Sequence, residues 1–95
     1  MTVVETPASL REAAAVLQEE GRMELVAYLA ANPEAGDVMP ETGGVRKLRW
    51  RAQGLGKRGG VRAIHYYHSD EIPLFLLNVF AKNEKANLTK AERNE

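Results

Sequence analysis

The fold is decided by residues 43–67, GGVRKLRWRAQGLGKRGGVRAIHYY, which join two strand-like segments through a glycine-rich connection. Residues 45–51 alternate apolar and basic side chains, the two-residue period of a β-strand. Residues 61–68 are rich in the β-branched and aromatic residues that favour strands. The connection between them is longer than a tight turn requires and contains Gly54, Gly56, Gly59 and Gly60. We therefore predict a β-hairpin.

Positive charge is concentrated in this hairpin. The whole chain has 13 basic and 13 acidic residues. Residues 43–69 hold seven of the basic residues and no acid, whereas residues 1–42 hold eight acids and two bases. Because successive side chains of a strand point to opposite faces, Lys47, Arg49 and Arg51 share one face, about 6.6 Å apart. Such a row of cations favours binding of a polyanion, and the alternative is an edge strand protected from aggregation by charge.

Length and composition limit the other possibilities. The chain has 95 residues, which predicts one domain over residues 1–95. It has no apolar run of the ~18 residues that a membrane span needs and no signal-peptide pattern, so we expect a cytoplasmic protein. The absence of cysteine excludes thiolate zinc sites, a cysteine nucleophile and disulfides. His65 and His68 would point to opposite faces of a strand, so we expect no metal ion and a structural role for His65.

Two helices are predicted before the hairpin. Ser9 and Glu12 have capping-box spacing, which predicts a first helix over residues 9–18. A second apolar stripe ends at Asn32-Pro33, where proline stops the helix; it consists of Met23, Val26, Ala27 and Ala30, widened by Leu25 and Leu29. The glutamates of this region are expected to be solvated.

Three further segments complete the prediction. Residues 2–4 form either an edge strand or a frayed end. Residues 74–81 are apolar nearly throughout, which favours a strand buried on both faces, and Asn78 within it needs a hydrogen-bond partner. A short or truncated C-terminal helix begins near Leu88, because Thr89 and Glu92 repeat the capping-box spacing.

Three separate segments, in this order and spacing, resemble one protein family. They are residues 32–50, NPEAGDVMPETGGVRKLRW; residues 56–67, GKRGGVRAIHYY; and residues 74–89, LFLLNVFAKNEKANLT. The sequence resembles the HigB branch of the RelE/ParE-like toxins of bacterial type II toxin-antitoxin systems, also called phage Gp49-like, over about residues 22–90. The resemblance implies an α+β domain of the RelE-like microbial RNase fold, in which a small antiparallel sheet has two N-terminal helices on one face and a basic concave face opposite.

The resemblance also implies an activity and partners. Members of this group are metal-independent endoribonucleases that need no cofactor and cleave mRNA in the A site of the 30S ribosomal subunit. Their partner is a cognate antitoxin, here expected to be a HigA-like protein of helix-turn-helix type. The toxin is expected to reach operator DNA only through this antitoxin. Two alternatives stay open: a non-enzymatic relative, such as a ParE-like gyrase poison or a phage accessory protein, and a simple RNA-binding module.

Catalytic roles follow from the same resemblance. It implies that Lys47 and Arg49 hold the substrate and help to activate the ribose 2′-hydroxyl, and that Arg62 stabilises the phosphorane-like transition state. A guanidinium suits that role, because in-line attack by the 2′-oxygen builds negative charge on the phosphate.

The general acid is left open by two departures from the family pattern. Asn83 stands where RelE has an arginine and Thr89 where it has a later tyrosine, so Lys82 or Lys85 is the nearest substitute. Lys82 is taken as the catalytic candidate. RNA contacts are expected from Arg46, Arg51, Lys57, Arg58, Tyr66 and Lys85.

Overall fold

Two helices and five strands make up the described part of the chain. The computed structural model describes residues 1–50 and 60–81. Their elements, in chain order, are β1 (Val3–Glu5), α1 (Pro7–Val16), α2 (Glu19–Ala31), β2 (Asp37–Val38), β3 (Val45–Trp50), β4 (Val61–Tyr66) and β5 (Leu74–Ala81). The predicted α+β class is confirmed. The glycine-rich connection and the predicted C-terminal helix lie outside the described residues, apart from Gly60.

The five strands form one sheet in the order β1-β5-β4-β3-β2. Strands β2 to β5 pair in antiparallel fashion, as predicted. Strand β1 pairs with β5 in parallel, so the N-terminal segment forms an edge strand, one residue further along than predicted, and the sheet is mixed. No hairpin turn fixes the direction of β1, because both helices lie between it and the next strand.

Helix α1 begins two residues earlier than predicted. Its N-cap is Thr6, whose side-chain oxygen accepts a hydrogen bond from the Ser9 backbone N–H at 3.1 Å. Pro7 follows at the first helical position, where its missing N–H costs nothing. Ser9 is buried inside the first turn and its hydroxyl donates to the Thr6 carbonyl at 2.9 Å. The prediction that Ser9 caps the helix was therefore wrong.

The core lies between the helices and one face of the sheet. Helix α2 ends at Ala31 with Asn32 as its C-cap, as the Asn32-Pro33 pair predicts, and it buries Leu25 and Leu29 completely. Met23, which was placed in the central stripe, is instead 57% exposed. The buried apolar residues are Ala13, Leu25, Leu29, Val61, Ala63, Leu74, Leu76 and Val79. Within the described ranges, no helix has the length and apolar character needed to cross a bilayer.

Two polar residues join α1 to β5. The Asn78 side-chain amide donates to both carboxylate oxygens of Glu12, at 3.2 and 3.3 Å. This confirms the prediction that Asn78 has a hydrogen-bond partner. It also corrects the expectation that Glu12 is solvated, because its carboxylate is partly buried against the edge of β5.

Candidate nucleic-acid interface

The pairing of β3 with β4 brings the three predicted cations to one face. Arg49 is the register partner of Arg62, and Lys47 is the partner of Ile64. Residues directly opposite one another on antiparallel strands point to the same side, with Cβ atoms about 4.5–5.5 Å apart. Lys47, Arg49 and Arg62 therefore lie together; with Ile64 and Tyr66 of β4 and Phe80 of β5, we call this surface the basic face.

The helices cover the other face of the same strands. Val61, Ala63 and His65 alternate with the β4 residues of the basic face and are fully buried in the core side. Leu48 and Trp50 of β3 pack against that core. The alternation along both strands thus separates an apolar face under the helices from a cationic face on the far side of the sheet.

Burial distinguishes the two arginines of the basic face. Arg49 and Lys47 are exposed, whereas Arg62 is only 9% exposed. The register partner of Arg62 on β5 is Phe80. Because the effective dielectric constant falls away from bulk water, a partly desolvated guanidinium interacts more strongly with an anion than an exposed one does. Arg62 is therefore suited to stabilising charge, and Arg49 and Lys47 to meeting an incoming chain.

Tyr66 lies at the other end of the basic face. Its register partner on β3 is Val45, two residues before Lys47. The Tyr66 ring is partly exposed and stacks near His68, with ring centroids 6.4 Å apart. Proteins that bind single-stranded nucleic acids combine aromatic rings, on which bases stack, with cations that contact the phosphate backbone.

Arg46 does not reach the basic face. Its register partner is His65, on the helix side of the sheet. The Arg46 guanidinium donates to the Glu34 carbonyl at 2.7 Å and to the Gly36 carbonyl at 3.4 Å. The parity of the strand therefore places Arg46 away from the basic face, although it was expected among the RNA-binding residues, and its observed contacts fix the segment that follows α2.

His65 holds the same segment from β4. Its Nε2 lies 3.2 Å from the Pro33 carbonyl oxygen, which can only accept, so we assign the ring proton to Nε2. Burial lowers the pKa of His65; the Pro33 carbonyl opposes this shift and the Arg46 charge adds to it. The ring of His65 is fully buried on the helix side of the sheet, which agrees with the expected structural role.

The remaining predicted site residues lie outside the described residues. They are Arg51, Lys57 and Arg58 in the hairpin connection, and Lys82 and Lys85 after β5. Sequence reasoning also missed Phe80 as a neighbour of Arg62. The apolar run predicts one strand over residues 74–81. It contains no signal for the irregularity in β5 that determines on which face Phe80 lies.

The basic face can bind phosphate and neutralise charge that forms on it. Guanidinium groups donate two parallel hydrogen bonds to phosphate oxygens, while a lysine ammonium acts as a point charge. Two opposed arginines with a lysine beside one of them can hold consecutive phosphates of a single strand. A surface of this kind suits phosphodiester chemistry as well as binding.

Comparison with known families shows which family the chain belongs to. A family model described as the RelE toxin of the RelE / RelB toxin-antitoxin system matches residues 11–95. The match includes the second half of α1, all of α2 and all the strands that form the basic face. It covers far more than half of the chain. The chain therefore belongs to the RelE toxin family, the toxin components of toxin-antitoxin systems.

Proposed function

We propose that this protein is a ribosome-dependent endoribonuclease that cleaves mRNA in the A site of the 30S subunit and so inhibits translation. The observation that carries the proposal is the register pairing of Arg49 with Arg62, with Lys47 on the same face. Membership of the RelE toxin family supports it. The finer assignment to the HigB branch comes from the sequence resemblance alone.

The proposed reaction is an intramolecular transesterification of RNA. The ribose 2′-oxygen attacks the adjacent phosphorus, and the bond from phosphorus to the 5′-oxygen of the next nucleotide breaks. The products are a 2′,3′-cyclic phosphate and a 5′-hydroxyl. A base takes the proton of the 2′-hydroxyl, and an acid gives a proton to the departing 5′-oxygen.

Each basic residue has a role in this scheme. Arg62, the least exposed cation of the described basic face, neutralises the charge that builds on the phosphate oxygens. Arg49 holds the substrate phosphate opposite it. Lys47 holds the backbone and assists removal of the 2′-proton, a task that a guanidinium performs poorly because it does not lose its own proton. Lys82 is proposed as the acid, on the sequence resemblance alone.

The proposal includes neither a metal ion nor an organic cofactor. In enzymes that cleave phosphodiesters with metals, the cation polarises the phosphate and stabilises the developing charge. Here the arginines of the basic face stabilise the charge that develops on the phosphate. Cleavage by this protein is therefore expected to continue in the presence of a chelator, provided that the ribosome itself is kept intact.

The proposed partner is a cognate antitoxin of the HigA-like helix-turn-helix type. The toxin would be brought to operator DNA only through this antitoxin, and both proteins would act in the cytoplasm. The acidic first 42 residues, with eight acids and two bases, are unsuited to contact with nucleic acid. The surface they form is thus left for protein partners.

A reconstituted cleavage assay tests the proposed function. Purified protein is added to mRNA alone, and to ribosomes programmed with the same mRNA and an empty A site. We expect cleavage in the second mixture only, loss of cleavage with Arg49→Ala, and full cleavage with Arg11→Ala, which removes an exposed arginine of α1. Intact mRNA in both mixtures, or inhibition of DNA gyrase instead, would contradict the proposal.

A further inference from the structure

The outer edge of β5 is completed by side chains of the N-terminal region where β1 ends. Strand β1 pairs with β5 only as far as Leu76. The Thr6 hydroxyl then reaches the carbonyls of Leu76 and Leu77, at 2.9 and 3.3 Å. Six residues further along the chain, in α1, a carboxylate oxygen of Glu12 accepts the backbone N–H of Val79 at 2.9 Å. The edge groups of β5 are therefore bound by a hydroxyl and a carboxylate in place of a strand.

This edge lies beside an irregularity in the register of β5. Ile64 of β4 is paired with Asn78, yet the next residue, His65, is paired with Leu76. Leu77 is thus an extra residue, and the strand is bulged there. The Glu12 carboxylate binds the main chain and the Asn78 amide on the C-terminal side of this bulge.

The bulge determines which side of β5 faces the core. Leu74 and Leu76 are buried before it, and Val79 is buried after it. With a strict two-residue period, Phe80 would share the inward side with Leu74 and Leu76. The inserted residue reverses the parity, so Val79 points inward and Phe80 becomes the partner of Arg62 on the basic face.

We infer that Glu12 is a positioning residue that acts on the basic face from the outer edge of β5. By holding Val79 N–H and Asn78, it fixes the bulged end of β5, and this places Phe80 beside Arg62. A carboxylate is suited to this, because hydrogen bonds to a charged group are stronger than those between neutral groups. The expected effect of Glu12 on RNA binding rests on the proposed function; its effect on Phe80 and Arg62 does not.

A second charged contact of the fold provides a matched control. Arg22 of α2 donates to the Glu5 carboxylate at 2.5 Å, and both side chains are 22% exposed. Glu5 lies on β1, before the bulge and beside the part of β5 that pairs regularly. Glu5→Gln therefore removes a charged link between helix and sheet without touching the bulge.

NMR on folded variants tests the inference directly. The variants are Glu12→Ala, Glu12→Gln and Glu5→Gln, and the signals are the Phe80 ring, the Arg62 Nε–H and the exchange rate of the Val79 amide. In Glu12→Ala we expect Val79 exchange to rise about tenfold or more, since a charged hydrogen bond is lost, with displaced Phe80 and Arg62 signals. Glu12→Gln keeps an acceptor oxygen and should resemble the wild type more closely. Glu5→Gln should leave all three signals in place.

Two results would overturn the inference. One is unchanged Phe80 and Arg62 signals in folded Glu12→Ala; the other is an equal displacement in Glu5→Gln. If Glu12→Ala does not fold, Glu12→Gln decides: a partial displacement of both signals supports the inference, and none overturns it.

A binding assay separates this inference from the proposed function. Affinity is measured for ribosomes programmed with an mRNA whose A-site codon has 2′-O-methyl riboses, which cannot be cleaved. We expect several-fold weaker binding by Glu12→Ala and unchanged binding by Glu5→Gln. Failure of the wild-type protein to bind these ribosomes would contradict the proposed function, whereas the NMR signals would still decide the role of Glu12.

Discussion

Arg49 and Arg62 are direct register partners on β3 and β4, with their side chains on the same face of the sheet. Like charges placed directly opposite one another on neighbouring strands destabilise a sheet. Two cations placed opposite one another in this way favour a functional explanation, here the binding of a polyanion between the two strands. A substitution that removes one of these charges can therefore weaken RNA binding without lowering the stability of the fold.

Arg49→Thr should therefore weaken RNA binding without weakening the fold. Threonine suits a strand, and its introduction removes the opposed charge. We expect the free energy of unfolding in urea to stay equal or rise. The negative slope of log affinity against log salt concentration should become shallower by about 0.7 for a single-stranded RNA, because one phosphate contact is lost. Arg11→Ala is the charge-matched control and should leave the slope unchanged; equal slopes for both variants would contradict the assignment of Arg49.

Gly36 should tolerate alanine much less well than Gly43. Both glycines have positive φ angles, +85° and +78°, so alanine at either position costs about 1–2 kcal/mol. A Cβ at Gly36 would lie 2.5 Å from the Lys47 carbonyl oxygen, whereas one at Gly43 meets nothing within 4 Å. The clash with β3 should add about 1–3 kcal/mol to the loss for Gly36→Ala. Urea unfolding of the two variants measures the difference, and equal losses would show that β3 does not approach Gly36 this closely.

His65 should make the fold less stable in mild acid. Burial lowers the pKa of His65 in the folded protein, so the unfolded chain takes up the proton first as the pH falls. The contribution of His65 to the free energy of unfolding is therefore fully present above the unfolded pKa of about 6.5 and is lost progressively as the pH falls below it. Urea unfolding at several values between about pH 7.5 and about pH 5.5 measures this loss.

Two glutamine variants isolate the contribution of His65. His65→Gln keeps a donor that can reach the Pro33 carbonyl but does not titrate, so the loss of stability over this pH range should become smaller. His68→Gln replaces an exposed histidine and should leave the pH dependence as it is in the wild type. A wild-type pH dependence in His65→Gln would show that another group is responsible.

Leu29 should contribute strongly to stability, unlike Leu10. Leu29 is fully buried between α2 and the sheet, whereas Leu10 on α1 is 42% exposed. Truncation of a buried leucine to alanine costs about 2–5 kcal/mol because contacts are lost and a cavity remains. The same change at Leu10 should alter the free energy of unfolding by about 0.5 kcal/mol or less. Chemical unfolding measures both, and comparable losses would contradict the placement of α2 in the core.

The basic face could be predicted from sequence because a strand has a simple period. The alternation in residues 45–51 places Lys47 and Arg49 on one face of β3. The same period in residues 61–66 places Arg62 on the face of β4 that points away from the core. The same period shows that Arg46 points away, although it was grouped with the RNA-binding residues. Strand β5 was also predicted with its observed bounds, since an apolar run of that length has few other places in a small domain.

Other features depend on contacts between distant parts of the chain. Thr6-Pro7 competes with Ser9 as the start of α1, and burial of Ser9 decides between them. The extra residue Leu77 leaves no trace in an apolar run, because either parity is apolar there. The role of Glu12 depends on a contact with Asn78 and Val79, which are 66 and 67 residues away. Local patterns carry no information on such pairs.

The most direct test of the central claim is to map mRNA 5′ ends by primer extension in cells after induction of the protein. The proposal predicts new 5′ ends within translated codons for the wild type and Arg11→Ala. Arg62→Ala should give none of these ends and no growth inhibition while still binding the antitoxin. New 5′ ends and toxicity that persist unchanged with Arg62→Ala, or growth arrest by the wild type without any new 5′ end, would contradict the account.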